Sequence, residues 1–308
     1  MTPRHFLSSE DLTPAEQAAL VTRAAELKRT RGQHQRPLDG WSVAMIFEKP
    51  STRTRISFEL AVVELGAHPV VLRGDELQLG RGETLEDTAR VLSRYVHAVV
   101  VRTFGQERLT ALAAAATVPV INALSDHEHP CQALADVQTI AEHFADPRGV
   151  VLTYLGDGNN VAHSLLLAGA NAGYAEVRVS SPEGYGPDGD VVARAKAIGD
   201  ATGTAVRVLT DPVEACEGAT VLYTDVWASM GQEAERPPRL AALAGHALTG
   251  ALLARAAPGA IVMHCLPAHR GEEIAADVID GPRSVVWDQA ENRLHAQKAL
   301  LELVAGQG

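Results

Sequence analysis

Aromatic side chains make up only 4% of this 308-residue chain, and cysteine occurs three times. The scarcity of cysteine excludes a disulfide framework, because Cys131, Cys216 and Cys265 are too few and too scattered to staple a fold. The scarcity of aromatics means a core built mainly from Ala, Leu and Val. No apolar run is long enough to span a bilayer, and Met1 to Phe6 lack the apolar stretch of a secretion signal. A reducing cytoplasm is therefore the expected compartment, with no membrane partner. Positive charge is also in deficit: 27 Lys and Arg against 38 Asp and Glu leave a formal net charge of −11, which argues against nucleic acid as a partner. A local cluster of arginines can still hold a small anion. Low-complexity tracts and repeats of solenoid length are absent as well.

What is present is alternation. At 46% hydrophobic residues the chain can bury a sizeable core, and its length suits two domains. Strand-like runs at 42–47, 69–72, 97–101 and 118–121 interleave with helical patterns at 13–30, 52–65, 83–94, 106–116 and 131–144. The second half repeats this, with strands near 150–155, 175–180, 205–209, 219–223 and 260–264 and helices near 160–172, 188–202, 211–217, 249–256 and 271–279. Such alternation predicts an α/β protein of two domains, each a mainly parallel sheet flanked by helices. Asp146-Pro147-Arg148-Gly149 breaks the pattern, which puts the boundary at 147/148 and gives domains of 1–147 and 148–288. The tail 289–305 reads as a long amphipathic helix with Leu294, Ala299, Leu300 and Leu303 on one side.

The polar motifs fall where predicted strands end, which is where open α/β sheets bind ligands. Ser51-Thr52-Arg53-Thr54-Arg55 lies at a strand-to-helix turn. Unpaired helical N–H groups, two hydroxyls and the Arg53 guanidinium suit a phosphate there, and a capped helix with solvated arginines is the alternative. His129-Pro130-Cys131-Gln132 opens a helix, so His129 and Gln132 can bind a carbonyl and an amide. The same piece also reads as a plain capping loop, and its i, i+2, i+4 spacing of His127, His129 and Cys131 spreads metal ligands poorly. Gly156-Asp157-Gly158-Asn159-Asn160-Val161 looks like a dinucleotide fingerprint. Val161 replaces the third glycine, and Ser180-Ser181 stand where a ribose-binding acid is wanted. Asn160 can instead offer its amide to a polar ligand. Asp225 ends another strand and suits a substrate ammonium, with Ser229 and the Met230 backbone placed for a carboxylate; an Asp cap and a glycine turn are the alternative. His264-Cys265-Leu266-Pro267 ends one more strand, and Cys265 there is a nucleophile, a substrate-packing thiol or a buried hydrophobe. Nothing functional emerges from 232–250.

Together these segments resemble the transcarbamoylase family. Ser51-Thr52-Arg53-Thr54-Arg55 and His129-Pro130-x-Gln132 resemble its two carbamoyl-phosphate signatures. Asp225-x-Trp227-x-Ser229-Met230-Gly231, His264-Cys265-Leu266-Pro267 and Gln78 resemble its ornithine branch, where the aspartate branch has a lysine near Gln78 and lacks the Ser-Met-Gly loop. The resemblance runs from about residue 5 to 305 and implies the following. Segment 289–308 returns as a helix to complete the first, carbamoyl-phosphate-binding domain; the second binds ornithine. Ser51, Thr52, Arg53, Thr54, Gln78, Arg102, His129 and Gln132 bind carbamoyl phosphate, with Cys265, Leu266 and Arg293 at its carbamoyl end. Asn160, Asp225, Ser229 and Met230 bind ornithine. Arg102, His129, Cys265 and Thr54 are the catalytic set. The amine attacks the carbamoyl carbon directly, with no metal, no cofactor and no covalent intermediate, in a homotrimer or a multiple of trimers.

Rivals remain at this point. A nicotinamide dehydrogenase is disfavoured by Val161 and the missing acid, and a two-lobed amino-acid-binding protein by the phosphate turn and the lack of a secretion signal. A transcarbamoylase for putrescine or an acetylated ornithine is disfavoured by Asp225 paired with Ser229-Met230-Gly231, which suit a free α-amino acid.

Overall fold

The computed structural model describes residues 3–74, 82–228 and 236–306. They divide into two compact units: residues up to Gln138 together with those from Asn292 onward, and Thr139–Glu291. The division falls inside two helices.

The first unit alternates strand and helix from the start. Helix α1 (Pro14–Arg29) begins with a reciprocal cap, in which the Thr13 hydroxyl accepts the Glu16 N–H and the Glu16 carboxylate accepts the Thr13 N–H. There follow β1 (Ser42–Phe47), α2 (Thr52–Glu64), β2 (His68–Arg73), α3 (Leu85–Leu92), β3 (Ala98–Arg102), α4 (Gln106–Ala115), β4 (Val120–Leu124) and α5 (Pro130–His143). The four strands form a parallel sheet in the order β2-β1-β3-β4. Side chains alternate across it as the pleat requires. Val43 and Met45 join Phe58 and Leu300 in one core, while Ala44 and Ile46 join Val99, Leu109 and Leu112 in another. A sheet covered on both faces explains the unbroken valine run of β3, which is buried throughout.

The second unit continues with β5 (Val151–Leu155), α6 (Asn160–Asn171), β6 (Glu176–Ser180), α7 (Gly189–Thr202), β7 (Ala205–Leu209), α8 (Pro212–Cys216), β8 (Val221–Thr224), α9 (Arg236–Leu243), α10 (Gly250–Leu253), β9 (Ile261–His264) and α11 (Ala276–Ile279). Its five-stranded sheet is also parallel, ordered β7-β6-β5-β8-β9. Helix α12 (Val286–Val304) closes the chain. No described helix is long and apolar enough to cross a membrane.

In each sheet the strand order reverses once. The chain runs from β1 outward to β2, then back past β1 to β3; likewise it runs from β5 to β6 and β7, then back to β8. Ligands of open α/β sheets sit at such switch points, outside the carboxyl ends of the strands. The switch points are therefore the ends of β1 and β3, and the ends of β5 and β8.

Three expectations are corrected. The helix expected over 271–279 is only α11, because Gly271 has a positive φ and Glu273 turns inward to bond His264. A helix, α9, occupies part of 232–250. From Asn292 onward α12 is buried almost all round rather than amphipathic, since its polar residues find partners on neighbouring elements: Glu302 accepts from the part-exposed Arg23, and Lys298 donates to the part-buried Glu64.

Candidate active site

At the first switch point Ser51 caps α2, its Oγ accepting the Thr54 N–H at 3.2 Å. Thr52 and Arg53 are exposed on the opening turn, where helical N–H groups and the macrodipole favour an anion. Thr54 is buried and gathers two guanidinium groups: its Oγ1 accepts from Arg293 Nη2 at 2.8 Å and from Arg102 Nη1 at 3.5 Å. Arg102 arrives because β1 and β3 pair in register, with Phe47 opposite Arg102. Arg293 arrives from α12, and its Nη1 donates to Gln132 Oε1 at 2.7 Å. Gln132 Nε2 in turn donates to Asp136 Oδ1 at 2.8 Å, which fixes the amide's orientation.

His129 is buried just before α5. Burial, then the positive charges of Arg293 and Arg102, hold its pKa well below the usual 6.5. The ring is therefore neutral at neutral pH and donates one N–H. Cys131, next but one, is buried: burial pushes its thiol up to about 12, and its Sγ donates to the Asn122 carbonyl at 3.2 Å. One residue of this neighbourhood escaped the sequence. Lys49, in the β1–α2 turn, is buried, pairs with Asp126 and lies 4.5 Å from the centre of the Phe104 ring. Only its place between a strand and the Ser-Thr-Arg motif could have flagged it.

At the second switch point the backbone explains both glycines of the fingerprint-like segment. Gly156 has φ +128, and a side chain on Gly158 would stand 2.2 Å from Pro187 N. The turn is thus shaped by close approach of its own chain, with no pyrophosphate required. Asn159 caps α6 and Asn160 is its first residue. Asp225, buried at the end of β8, accepts from Asn159 Nδ2 at 2.8 Å and from Cys265 Sγ at 2.9 Å. Cys265 is part-exposed and follows β9. Leu266 beside it has φ +58, which a branched side chain rarely adopts.

A buried pair holds this turn. His264 Nδ1 accepts the Leu266 N–H at 2.9 Å, so Nε2 carries the proton and donates to Glu273 Oε1 at 3.1 Å. Burial alone would raise the Glu273 carboxyl, but bonds from His264 and the His269 N–H outweigh it and bring it below its usual 4.5. Donor atoms of Asp225, His264 and Cys265 lie within 4.8 Å of one another, yet both His264 nitrogens are already committed, so the trio reads as hydrogen-bonded machinery. Glu273 was missed in the sequence because nothing but burial marks it.

The structure thus brings Ser51, Thr54, Arg102, Gln132 and Arg293 together in the first unit, with His129 near two of these charges. In the second it gathers Asp225 and Cys265 around the start of α6, where Asn160 stands, with Leu266 next to Cys265. Gln78, Ser229 and Met230 lie outside the described residues.

Comparison with known proteins agrees with this geometry over the whole chain. Residues 4–142 match the family model described as aspartate/ornithine carbamoyltransferase, carbamoyl-P binding domain, and residues 148–304 the one described as the Asp/Orn binding domain. An ornithine carbamoyltransferase of Parafrankia sp. (strain EAN1pec) is 62% identical over 307 residues, covering 99% of this chain and 96% of its own. Another from Acidothermus cellulolyticus is 62% identical over 302 residues, covering 98% and 96%. The solved structure of ornithine carbamoyltransferase from Pyrococcus furiosus superposes with a TM-score of 0.95 at 52% identity, covering 99% of this chain and 98% of that one.

Proposed function

The chain belongs to the aspartate/ornithine carbamoyltransferase family, and from that premise we propose how its residues do the chemistry. It transfers the carbamoyl group of carbamoyl phosphate to the δ-amine of L-ornithine, giving L-citrulline and phosphate. Residues 1–147, completed by 289–308, form the carbamoyl-phosphate domain, and 148–288 the ornithine domain. The observation that carries this reading is the meeting of Arg102 and Arg293 on the Thr54 hydroxyl at the start of α2. Two cations and a hydroxyl gathered beside a helix N-terminus suit a ligand with a carbonyl oxygen that gains negative charge next to a phosphoryl group held by that N-terminus.

Ser51, Thr52, Arg53 and the first N–H groups of α2 hold the phosphoryl group as it becomes the leaving group, with Gln78 also assigned to it. Arg102, Thr54 and neutral His129 donate to the carbamoyl oxygen as negative charge builds on it in the tetrahedral transition state. Gln132 and Arg293 orient the carbamoyl end, and Cys265 and Leu266 are assigned to it too. Asp225 and Cys265 hold the attacking amine, while Asn160, Ser229 and Met230 bind the rest of ornithine. The amine's lone pair forms the new C–N bond, the C–O bond to phosphate breaks with its electron pair leaving on the phosphate oxygen, and the proton lost by the amine nitrogen leaves with the phosphate. Positioning and electrostatics supply most of the acceleration, with no covalent enzyme intermediate and no metal.

The working form is a cytoplasmic homotrimer or a multiple of trimers. The exposed apolar residues Ile56, Leu60 and Val63 on α2 support an assembly, being more than a lone soluble chain needs to show. A citrulline assay on purified protein tests the reaction, with carbamoyl phosphate and, in turn, ornithine, putrescine and acetylated ornithine. Turnover confined to ornithine is expected; turnover of another amine in its place overturns the assignment.

A further inference from the structure

Asn159 was passed over in favour of Asn160, yet its side chain is held at both ends. Its Oδ1 accepts the N–H groups of Val161 at 2.9 Å and Ala162 at 3.2 Å, as a helix cap does. The same oxygen accepts the Tyr154 hydroxyl at 3.3 Å. Burial, then the nearby Asp225 charge, push the Tyr154 phenol well above its usual 10, so that hydroxyl stays a donor. Three donors on one atom settle which end of the amide is oxygen. The other end, Nδ2, then has one possible role, and it donates to Asp225 Oδ2 at 2.8 Å.

We propose that Asn159 is a positioning residue for the reaction: it converts the N-terminus of α6 into a clamp that aims the Asp225 carboxylate. The proposal rests on the reading of Asp225 as the partner of the attacking amine. Asp225 lies in the loop after β8, and among the described residues its other oxygen, Oδ1, accepts from the Cys265 thiol at 2.9 Å. A thiol is a weak donor on a side chain that is itself part-exposed. The rigid anchor of the carboxylate is therefore the amide, held by a helix end that belongs to the sheet. An amine approaching Asp225 meets a carboxylate whose rotation is stopped by Asn159, so the lone pair of the amine is aimed rather than merely attracted.

A cap and a clamp make different demands, and substitution separates them. Asp and Ser cap helices as well as Asn does. Neither supplies the amide N–H: Asn159→Ser leaves Asp225 Oδ2 without that donor, and Asn159→Asp sets a second carboxylate against it. Steady-state kinetics on wild type, N159S and N159D, with melting curves of each, form the test. The expected result is a fall in kcat/KM for ornithine of roughly 10- to 100-fold, the effect of losing a hydrogen bond to a charged group, with the larger loss in N159D. The KM for carbamoyl phosphate should stay within about twofold of wild type, since ground-state binding of that substrate does not involve Asp225. If N159D does not fold, N159S alone decides, because it adds no charge. Both variants at wild-type kcat/KM for ornithine, or a KM for carbamoyl phosphate that rises as much as kcat/KM for ornithine falls, would leave Asn159 a cap and overturn the proposal while the ornithine reading stands. A folded wild type that makes no citrulline would overturn that reading and this inference with it.

Discussion

Two hydrogen bonds to a buried carboxylate decide what Asp225 does. Its oxygens accept from Asn159 and Cys265, both neutral, so its negative charge has no cation against it among these partners. Replacing it by Asn keeps the shape and removes the charge. For Asp225→Asn we expect kcat/KM on ornithine to fall by about 3–5 kcal/mol in barrier terms, the scale for a charge pair broken on one side. Protection against heat by carbamoyl phosphate should persist. Unchanged kinetics on ornithine in the folded variant would reduce Asp225 to a turn cap. Residues of this kind were readable in advance, because a polar side chain directly after a buried strand has few structural reasons to be there. Asp225 and Cys265 directly follow strands, Arg102 ends one, and Ser51 caps the helix that follows another. Asn159 and Glu273 were not readable, since their roles depend on which oxygen or nitrogen meets them: one looks like an ordinary cap and the other like one of two adjacent surface glutamates.

Helix α12 shows the same limit for a whole element. Its extent was legible from periodicity, 289–305 against Val286–Val304. Its character was not, because the partners of its buried polar groups lie on distant segments, 161 residues away for Arg293 and Gln132 and 234 for Lys298 and Glu64. One consequence is acid sensitivity. His295 is fully buried, and burial, then the charge of Lys298, lower its pKa from 6.5 to about 4. A histidine with a folded pKa below its unfolded value takes up its proton first in the unfolded chain. Its contribution to stability is complete above about pH 6.5 and declines as the pH falls towards 4. The expected outcome is that His295→Gln loses less stability than wild type between pH 7 and pH 5 in urea unfolding, by at most about 1.4 kcal/mol per pH unit for one proton. Parallel stability curves for the two proteins would show that His295 has the same pKa folded and unfolded.

At the scale of the molecule, alternation of strand and helix was enough to give two parallel sheets, because parallel strands need crossovers and the crossovers were visible as helical patterns. How many copies associate was not visible in any periodicity. We propose that association enters through α2, where Ile56, Leu60 and Val63 remain 52%, 40% and 47% exposed along one side of the helix. Light scattering is expected to give the mass of three 32.6 kDa chains or a multiple of it, and Leu60→Glu to shift that mass towards one chain. A wild-type mass of one chain would sink the trimer, and an unaltered mass for the variant would remove α2 from the interface.

The return of α12 to the first unit also sets an order of manufacture. Arg293 reaches Thr54 across 239 positions of sequence, and Glu302 reaches Arg23 across 279. On the ribosome, the first 138 residues emerge with their sheet-forming strands but without the helix that fills one side of their core. The entire second unit must be synthesised before that gap closes, and a unit already able to collapse on its own sequence intervenes. The first unit is thus completed only after the second has been made, and until α12 is in place Thr54 lacks its Arg293 partner.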